Sequence, residues 1–547
     1  MLKPEFFSSI KNYSRELFFK DLTAGIIVGI IALPLAIALA IASGVSPEKG
    51  IHTAIIAGFL ISFLGGSRVQ IGGPTGAFVI IVLGIINQYG FDGLVIATIM
   101  AGIMLIIMGL MKMGSMIKFI PYPITTGFTS GIAVVIFSTQ VKDFLGLQMG
   151  EVPGEFIDKF ISYYRHLHTI NYNTLLIGVL ALLIIIFWPK INKKIPGSLI
   201  AIIFCTIITH VFKLEVETIG SKFGQISASL PVFTLPKLNY EILSQLIRPA
   251  VTIAILAGIE SLLSAVVADG MTGGKRHNSN TELVAQGVAN MASGLFGGIP
   301  ATGAIARTAA NIRNGGTTPV AGMVHAISIF LIMIIFMPYA SLIPLSALAA
   351  ILIIVAYNMS EWHSFLNLLK APKSDISVLL LTFFLTVLID LVVAIQVGIV
   401  LAAFLFMKRM ADVSNVRIID DKDEEITGFS EKLEKNNIVI PKDILIYEIN
   451  GPFFFGAVQR FIEVIEQIEE HPKIIILKMK NVQAMDATAF AALHSVYEFC
   501  KSHKILLKIS SIQPQPEKLL KKYGFIDMLG RENFYRDLKT AIDGIQF

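Results

Sequence analysis

The chain carries one phrase twice, at two distant places. AGFLISFLGG at residues 57–66 is followed by GGPTGAF at 72–78, and ANMASGLFGG at 289–298 is followed by IPATGAI at 299–305. Each copy has Thr-Gly-Ala shortly after a proline, at the start of a short apolar run. Chance repetition in a chain rich in glycine and alanine is one explanation. We interpret the repeat instead as two half-chains that each contribute a broken helix.

The rest of the chain is unusually apolar. Of its 547 residues, 54% are hydrophobic and 15% are charged, against roughly 45–50% and about 25% in an ordinary soluble domain. The mean hydropathy is +0.72. This composition excludes a single large soluble enzyme, a disordered chain and a nucleic-acid-binding protein, and a net charge of +5 is too small to indicate a polyanionic partner. We therefore expect a polytopic membrane protein in contact with lipid.

Apolar runs continue from residue 23 to about residue 410. Because a spanning helix needs about 20 apolar residues, we expect about fourteen α-helical spans, with half-helices at 76–88 and 302–312. Seven spans in each half is an odd number, so the halves are expected to insert with opposite orientation, as in the inverted repeats of secondary transporters. Basic residues in every second loop predict that both termini are cytoplasmic and that the protein lies in the cell (inner) membrane.

The composition changes after the last apolar run. We divide the chain into a cytoplasmic N-terminal segment (1–22), a transmembrane domain (23–410), a polar linker (411–440) and a soluble α/β domain (441–547). In the last of these, apolar residues alternate or recur at helical spacing. Its length of about one hundred residues suffices for one small globular domain.

The residue types at the two broken helices indicate an anion site. Non-helical backbone at membrane depth occurs where it lines a cavity or is buried in protein, and the N-terminus of a half-helix attracts negative charge. Two such ends that face each other would hold a small anion in the middle of the bilayer. Thr75 and Thr302 would add hydroxyl donors, and Arg307 would add positive potential.

Glu260 lies inside an apolar helix, where a carboxylate costs at least about 2.5–3.5 kcal/mol. We interpret it as a coupling site for H⁺ or Na⁺, with Ser264 one turn later on the same face. The alternatives are a protonated or snorkelling structural acid and an ion pair with Arg307. The histidines have no metal-ligand spacing, and the sequence has no phosphate-binding loop and no nucleophile–base pattern. We therefore expect neither a metal, nor a cofactor besides the coupling ion, nor an enzyme.

Over nearly its whole length the chain resembles the SulP anion transporters, which are solute carrier family 26 in animals. Four segments in family order carry the resemblance, at residues 21–50, 72–78, 259–290 and 297–319. The resemblance implies a seven-plus-seven inverted repeat of core and gate domains, an elevator-like movement and a homodimer. By position it implies a substrate site at the facing ends of the third and tenth helices, on Thr75, Gly76, Ala77, Gly303 and Ala304. The complete predicted site adds Phe78, Thr302 and Arg307.

The resemblance also bears on coupling and substrate. Glu260 and Ser264 match the eighth-helix positions that are linked to cation coupling, and the glutamate favours H⁺ over Na⁺. AYNMSEWH at 356–363 and NGPFFFGA at 450–457 resemble the bacterial C4-dicarboxylate (DauA-like) carriers. We therefore expect H⁺-coupled uptake of succinate, fumarate or aspartate, with a sulfate or bicarbonate transporter as the alternative. An anion channel or a membrane sensor is the alternative of another class.

The C-terminal residues 441–547 resemble a STAS domain. In the anti-sigma-factor antagonists that contain this domain, a phosphorylated serine directly follows an aspartate. Here Asp486 is followed by Ala487, and Thr488 is the nearby hydroxyl. We predict Asp486 and Thr488 as regulatory positions that respond to a cytoplasmic protein or ligand. The alternative is a packing and dimer-contact module.

Overall fold

The computed structural model describes residues 3–115, 121–150, 152–192, 195–224, 230–236, 240–273, 276–389, 391–419, 443–466 and 472–544. The chain separates into two compact units, residues 1–399 and 400–547. Each unit has its own hydrophobic core.

Long apolar helices joined by short loops form the membrane part. In the described ranges these helices are α1 (Arg15–Ala42), α2 (Pro47–Leu64), α3 (Phe78–Leu110), α4 (Tyr122–Leu145), α5 (Tyr172–Ile191), α6 (Gly197–Val211), α7 (Tyr240–Thr272), α8 (Ser279–Leu295), α9 (Ile305–Arg313), α10 (Pro319–Ala340), α11 (Leu345–Met359), α12 (Lys373–Leu388) and α13 (Leu391–Val413). Shorter helices lie between them at Glu5–Ser9, Phe156–His166, Ile219–Phe223 and Trp362–Leu368. Eight helices of the described chain are long and apolar enough to cross a membrane by themselves.

Helix α3 contains a break that sets the number of spans. Gly90 has a φ of 69°, which separates residues 78–89 from residues 91–110, and glycine adopts this conformation without strain. With α3 counted as two segments, seven segments precede residue 212 and seven follow residue 239 in the described chain. The expected fourteen spans in two sets of seven are therefore confirmed.

The two repeated phrases contact each other directly. Each contains a strand of two residues, β1 (Gly72–Gly73) and β2 (Thr302–Gly303). The strands pair antiparallel, with Gly72 opposite Gly303 and Gly73 opposite Thr302. A short helical segment follows each strand, so both half-helices start from the same small piece of sheet.

Loop contacts identify helix ends that share a side of the membrane. The Asn278 amide, after the eighth span, donates to the Gly66 carbonyl, after the second span, at 3.1 Å. The Thr317 amide, after the tenth span, donates to Asp21 Oδ1, near the start of the first span, at 2.7 Å. Loops that follow even-numbered spans therefore contact one another or the N-terminal end of the first span. This is expected because successive loops alternate between the two sides of the membrane. That this side is cytoplasmic stays a prediction from the basic loops.

The helices of the membrane unit pack in two groups, which correspond to the expected core and gate. In the first group α1 and α2 pack on α10, and α7 and α8 pack on α3; in the second, α4 and α5 pack on α11. Contact between α3 and α8 is close because both carry glycine. A Cβ at Gly102 would lie 2.6 Å from the carbonyl oxygen of Gly287, and a Cβ at Gly287 would lie 2.5 Å from that of Gly102.

The second unit contains a five-stranded sheet in the order β3-β4-β5-β6-β7, in which β3 is antiparallel to β4 and the other neighbours are parallel. The strands are β3 (Asn415–Ile419), β4 (Ile444–Asn450), β5 (Ile474–Asn481), β6 (Leu506–Ser510) and β7 (Phe534–Tyr535). Its described helices are α14 (Phe455–Glu466), α15 (Ala487–Ser502), α16 (Pro514–Lys522), α17 (Phe525–Leu529) and α18 (Leu538–Asp543). Tyr447, Phe461 and Phe525 are fully buried in its core, and the expected α/β domain is confirmed.

The first helix begins earlier than the sequence-based division. A boundary after residue 22 falls inside α1, which begins at Arg15. The Ser14 side chain accepts the Leu17 amide at 3.2 Å and so supplies the N-cap. The N-cap, rather than the first apolar residue, therefore decides where the helix begins, and the place at which the chain enters the membrane stays a prediction.

The predicted linker 411–440 also differs from the structure. Helix α13 continues to Val413 and strand β3 follows at once, so the linker cannot begin at residue 411. Arg417 on β3 donates two hydrogen bonds to Glu448 on β4, at 3.0 and 2.7 Å. These bonds hold β3 in the sheet, and three of its five residues (Val416, Ile418 and Ile419) are β-branched apolar residues of the kind that favours strands. Residues 420–442 lie outside the described ranges.

Candidate functional site

Two helix N-termini lie beside the β1–β2 pair. The first half of α3 follows Ala77 and α9 follows Ala304, and neither residue has a side chain that caps the helix. The Ala304 amide donates to the Ile71 carbonyl at 2.8 Å. Ala77, Phe78 and Ala304 are buried and carry no polar side-chain atom, so they could bind a polar ligand only through backbone groups that have no partner within the protein. The positive ends of both half-helices therefore meet at one place.

Buried polar side chains satisfy the extended backbone around these strands. Asn290 on α8 accepts the Ala301 amide at 2.9 Å and donates to the Ala301 carbonyl at 2.8 Å. Thr308 on α9 accepts the Ile71 amide at 3.0 Å. Unsatisfied peptide groups are costly at membrane depth, so these side chains permit non-helical backbone here.

Thr75 connects the first repeat to α7. Its hydroxyl donates a hydrogen bond to Glu260 Oε2 at 2.9 Å. Both residues are partly buried rather than fully enclosed. A predicted substrate residue and the predicted coupling residue are thus in direct contact.

Arg307 reaches from α9 to the first repeat. It is 3% exposed, and its Nη2 donates to the Pro74 carbonyl at 2.6 Å. Its Nη1 has no hydrogen-bond partner in the described chain, and a Cβ at Gly73 would overlap it. Among the described residues Arg307 forms no ion pair with Glu260, so that alternative is wrong. The guanidinium instead places a positive charge beside Gly73 and Pro74.

Thr302 and Ser264 have partners within the protein. Thr302 is fully buried and its hydroxyl donates to the Ala257 carbonyl at 2.8 Å. The expectation that this hydroxyl is available to an anion is therefore wrong, because its hydrogen is already used. Ser264 is also buried and donates to Thr308 Oγ1 at 3.2 Å. Its role in ion coupling stays a prediction.

The glycines of the repeats lie against their neighbours. A Cβ at Gly76 would lie 2.8 Å from Ile136 Cδ1 on α4 and 3.5 Å from Met359 Sδ on α11. The first half-helix therefore begins where the core group meets the gate group. A Cβ at Gly303 would overlap the side-chain amide of Gln70, so glycine is needed there for close approach.

Sequence reasoning missed a fully buried acid near Glu260. Glu282 on α8 is fully buried and accepts the amides of Gly66 and Ser67 at 2.9 and 3.1 Å. Ser261 on α7 donates to Glu282 at 3.3 Å and accepts from Gln70 at 2.7 Å. Glu282 follows a polar loop at the start of a helix, where an acid is usually exposed, so its sequence position gives no signal of burial.

In the second unit, the predicted regulatory residues lie at the start of α15. Asp486 is its N-cap and accepts the Ala489 amide at 2.8 Å. Thr488 is exposed. This geometry accounts for Asp486 as a helix cap, and the regulatory role of both residues stays a prediction. The described residues contain no group of three or more His, Cys, Asp and Glu side chains that is arranged to hold a metal ion.

Comparisons with known proteins identify relatives along the whole chain. The model of the sulfate permease family matches residues 18–382, and that of the STAS domain matches residues 435–541. The chain is 44% identical over 532 residues to the "Putative sulfate transporter YvdB" of Bacillus subtilis, with 97% of this chain and 98% of that protein covered. It is 30% identical over 539 residues to the bicarbonate transporter BicA of Synechocystis, with 95% and 93% covered.

The fold also matches a solved structure. The murine Solute Carrier 26 family member A9 anion transporter, in its inward-facing state, superimposes with a TM-score of 0.86 over 99% of this chain and 94% of that one. The sequence identity is 16%, so this likeness concerns the fold alone. Together with the match over residues 18–382, the paired half-helices identify the chain as a member of the sulfate permease (SulP, solute carrier family 26) family of anion transporters, with a C-terminal STAS domain.

Proposed function

We propose that this protein is a secondary active transporter that moves sulfate together with H⁺. The contact between Thr75 and Glu260 carries the proposal, because it joins a half-helix start to a titratable group. The names of the relatives support sulfate first and bicarbonate second, since YvdB and BicA are named for these anions.

The charges near the paired strands balance a dianion when Glu260 is neutral. Arg307 supplies one positive charge, and each of the two helix ends supplies about half a charge. With Glu260 protonated, the charges of Arg307 and the two helix ends add to about +2, which balances the dianion sulfate. With Glu260 ionised the sum is about +1, which matches bicarbonate. Sulfate is therefore expected to bind together with a proton.

The hydrogen bond between Thr75 and Glu260 provides a means of coupling. An ionised carboxylate only accepts hydrogen bonds, so the Thr75 hydroxyl hydrogen is directed at Glu260. A protonated Glu260 donates to Thr75 Oγ1 instead, which releases the threonine hydrogen to an anion oxygen. Protonation removes a negative charge and adds a donor at the same time, and both changes favour anion binding.

Arg307 also provides hydrogen-bond donors in a fixed orientation, in addition to its positive charge. The bond from Nη2 to the Pro74 carbonyl fixes the guanidinium plane. Its Nη1 carries N–H donors that no described residue uses. Planar N–H donors of this kind suit oxyanions, which accept charge-assisted hydrogen bonds.

Transport of C4-dicarboxylates has weaker support than transport of sulfate or bicarbonate. Neither YvdB nor BicA is named for a dicarboxylate. The resemblance to DauA-like carriers rests on short segments, whereas these relatives match along nearly the whole chain. Succinate therefore enters the experiment as a competitor.

We also propose a homodimer in the cell (inner) membrane with both termini in the cytoplasm. The family resemblance supports the dimer, and the basic loops support the orientation. A cytoplasmic protein or ligand at Asp486 and Thr488 belongs to the same proposal. Cross-linking in native membranes tests the dimer, and labelling of single cysteines from either side of the membrane tests the orientation.

Purified protein in liposomes tests the transport proposal with labelled sulfate, bicarbonate and succinate under imposed pH or Na⁺ gradients. We expect an inward H⁺ gradient to drive sulfate accumulation and unlabelled bicarbonate to compete. Accumulation driven by Na⁺ alone would refute H⁺ coupling. Succinate uptake without sulfate uptake would refute the substrate, and flux that never exceeds equilibrium would indicate a channel.

A further inference from the structure

A cavity of about 620 Å³ lies along the first half of α3. Its walls come from both helix groups and from the Phe156–His166 helix, and they include Ile80, Gln88, Val135, Lys159, Arg248 and Thr386. Ile80 is two residues after Phe78, the first residue of the half-helix. Gln88 is eight residues further along, or about 12 Å. The cavity therefore extends from the start of the half-helix to its outer end.

The cavity opens on the side of the membrane opposite to the N-terminus. Gln88 lies at the end of the third span, and the Phe156–His166 helix lies between the fifth and sixth spans. Both positions follow odd-numbered spans, whereas Gly66 and Asn278 follow even-numbered spans. The two sets therefore lie on opposite sides of the membrane. Gln88 is exposed, so the outer end of the cavity is accessible.

Lys159 is a buried cation in the wall of this cavity. It is 4% exposed, and its Nζ is 3.5 Å from Ser138 Oγ. An ammonium group has three donors, and no carboxylate of the described chain lies within ion-pair distance of this one. Burial of an unpaired charge is costly, so a lysine in this position indicates a function beyond packing.

The helix around Lys159 holds it in place. The buried residues of this helix are Lys159 and Tyr163, one turn apart. The Tyr163 hydroxyl donates to the Ser138 carbonyl at 2.8 Å, and its ring packs edge-on against Phe160. Tyr163 thus fixes the helix against α4, and Lys159 is fixed with it.

Arg248, which also lines the cavity, provides a second positive charge. It is an exposed residue of α7, and it forms no ion pair in the described chain. The acidic residue of the lining is Glu155, which is exposed. Two cations and one acid leave a net charge of +1 around the cavity.

We propose that this cavity is an entry site at which Lys159 and Arg248 collect a small oxyanion before it reaches the paired strands. The inference rests on the proposed transport function, since it assigns the outer approach to the same site. A positive cleft with apolar walls raises the local concentration of anions and their rate of association. Lys159 and Arg248 therefore act on the approach of the anion rather than on its coupling to H⁺.

A chemical probe tests the electrostatic part without any transport. Gln88→Cys introduces an accessible thiol at the mouth of the cavity, while the native Cys205 and Cys500 are buried. The rates of modification by an anionic sulfonatoethyl and a cationic trimethylammonioethyl thiosulfonate are compared with and without Lys159→Gln. A unit charge at roughly 8 Å in water changes each rate about 2.4-fold in opposite directions, so the anion-to-cation ratio is expected to fall about sixfold.

The control for this probe is Arg165→Gln, which removes the same charge from an exposed position on the same helix. An unchanged ratio in Lys159→Gln, or an equal fall in Arg165→Gln, would overturn the proposal. Because the probe needs no substrate, its result stands whether or not the protein carries sulfate.

Transport kinetics test the second part of the proposal. In liposomes, Lys159→Gln is expected to raise the KM for external sulfate at least about threefold at low salt, with little change in maximal rate. Lys159→Arg is expected to restore the KM, and added salt is expected to reduce the difference between variants. A fall in maximal rate with an unchanged KM would overturn the entry role.

Discussion

The hydroxyl of Thr75 donates to the carboxylate of Glu260 across 185 positions of sequence, at 2.9 Å. The carbonyl of the preceding Pro74 accepts a hydrogen bond from Arg307 of the second repeat. Two adjacent residues of the first half-chain therefore contact a partly buried acid and a buried cation that both belong to the second half-chain. The predictions for transport start from this arrangement.

We expect Glu260→Gln to abolish H⁺-driven accumulation of sulfate. Glutamine has nearly the same shape as glutamic acid but does not titrate, so anion binding loses its dependence on protonation. Uptake into liposomes with and without a pH gradient measures this effect, and sulfate exchange without a gradient reports on folding and binding. Glu215→Gln, at an exposed position, is the control. Concentrative uptake by Glu260→Gln would contradict the assignment.

Replacement of Thr75 by valine is expected to weaken sulfate binding about tenfold or more. Valine has the shape of threonine without its hydroxyl, and a hydrogen bond to a charged group contributes about 1.5–3 kcal/mol. Thr75→Ser keeps the donor and is expected to bind nearly as well as the native protein. Calorimetric titration with sulfate compares the variants. Equal sulfate affinities of the valine and serine variants would show that the Thr75 hydroxyl does not bind sulfate.

The close approach at β2 predicts a steric effect of Gly303→Ala. The new methyl group would overlap the Gln70 side chain, which is held by Ser261. Overpacking typically costs about 1–3 kcal/mol, so the thermal midpoint of the purified protein is expected to fall. Gly270→Ala, which has open space around its Cβ, is expected to leave the midpoint unchanged or higher. If the double variant Gln70→Ala/Gly303→Ala is no more stable than Gly303→Ala, the clash with Gln70 is not the cause of the lower thermal midpoint.

An ion-pair cluster in the STAS domain predicts a dependence of stability on pH. Burial alone would raise the pKa of Glu448, but hydrogen bonds from Lys478 and Arg417 outweigh burial and hold that pKa below its usual range. A lowered pKa in the folded state means that the cluster stabilises the fold above the ordinary glutamate pKa. This stabilisation is lost as the pH falls through the folded value.

Removal of the acid tests the same cluster at neutral pH. Glu448→Gln leaves Lys478, which is 6% exposed, without its ionic partner, and is expected to cost about 3 kcal/mol. Hydrogen exchange of the β4 and β5 amides in the full-length protein, corrected for intrinsic rates, measures the loss. Glu498→Gln at an exposed position of α15 is the control. Equal protection in the two variants would show that the cluster does not stabilise the sheet.

Substitutions of Asp486, the N-cap of α15, distinguish a structural role of this residue from a regulatory role. Asp486→Ala removes the acceptor for the Ala489 amide and is expected to destabilise the domain by about 1 kcal/mol, whereas Asp486→Asn keeps a capping oxygen. Hydrogen exchange of α15 checks this difference. If sulfate uptake changes in Asp486→Asn while the helix keeps its protection, the residue has a role beyond capping.

The sequence by itself determined the number of spans and the place of the broken helices. Spans follow from runs of apolar residues because the bilayer has a fixed thickness and excludes unsatisfied peptide groups. The prolines and glycines of the two repeats break such runs locally. For this reason, half-helices expected at 76–88 and 302–312 occur at 78–89 and 305–313. The alternating pattern of the last hundred residues likewise predicted a soluble domain.

Only the tertiary structure decided which polar groups are partners. The sequence allowed Arg307 to pair with Glu260, but in the fold it donates to Pro74, and Thr75 bonds to the acid. The sequence offered Thr302 as a donor to the anion, but its hydroxyl is directed at Ala257. The pattern of apolar residues can be read along the sequence and does not depend on exact atomic positions. A hydrogen bond, in contrast, forms within about 3 Å and depends on side-chain direction. Contacts between helices that are far apart in the chain therefore required the packed structure.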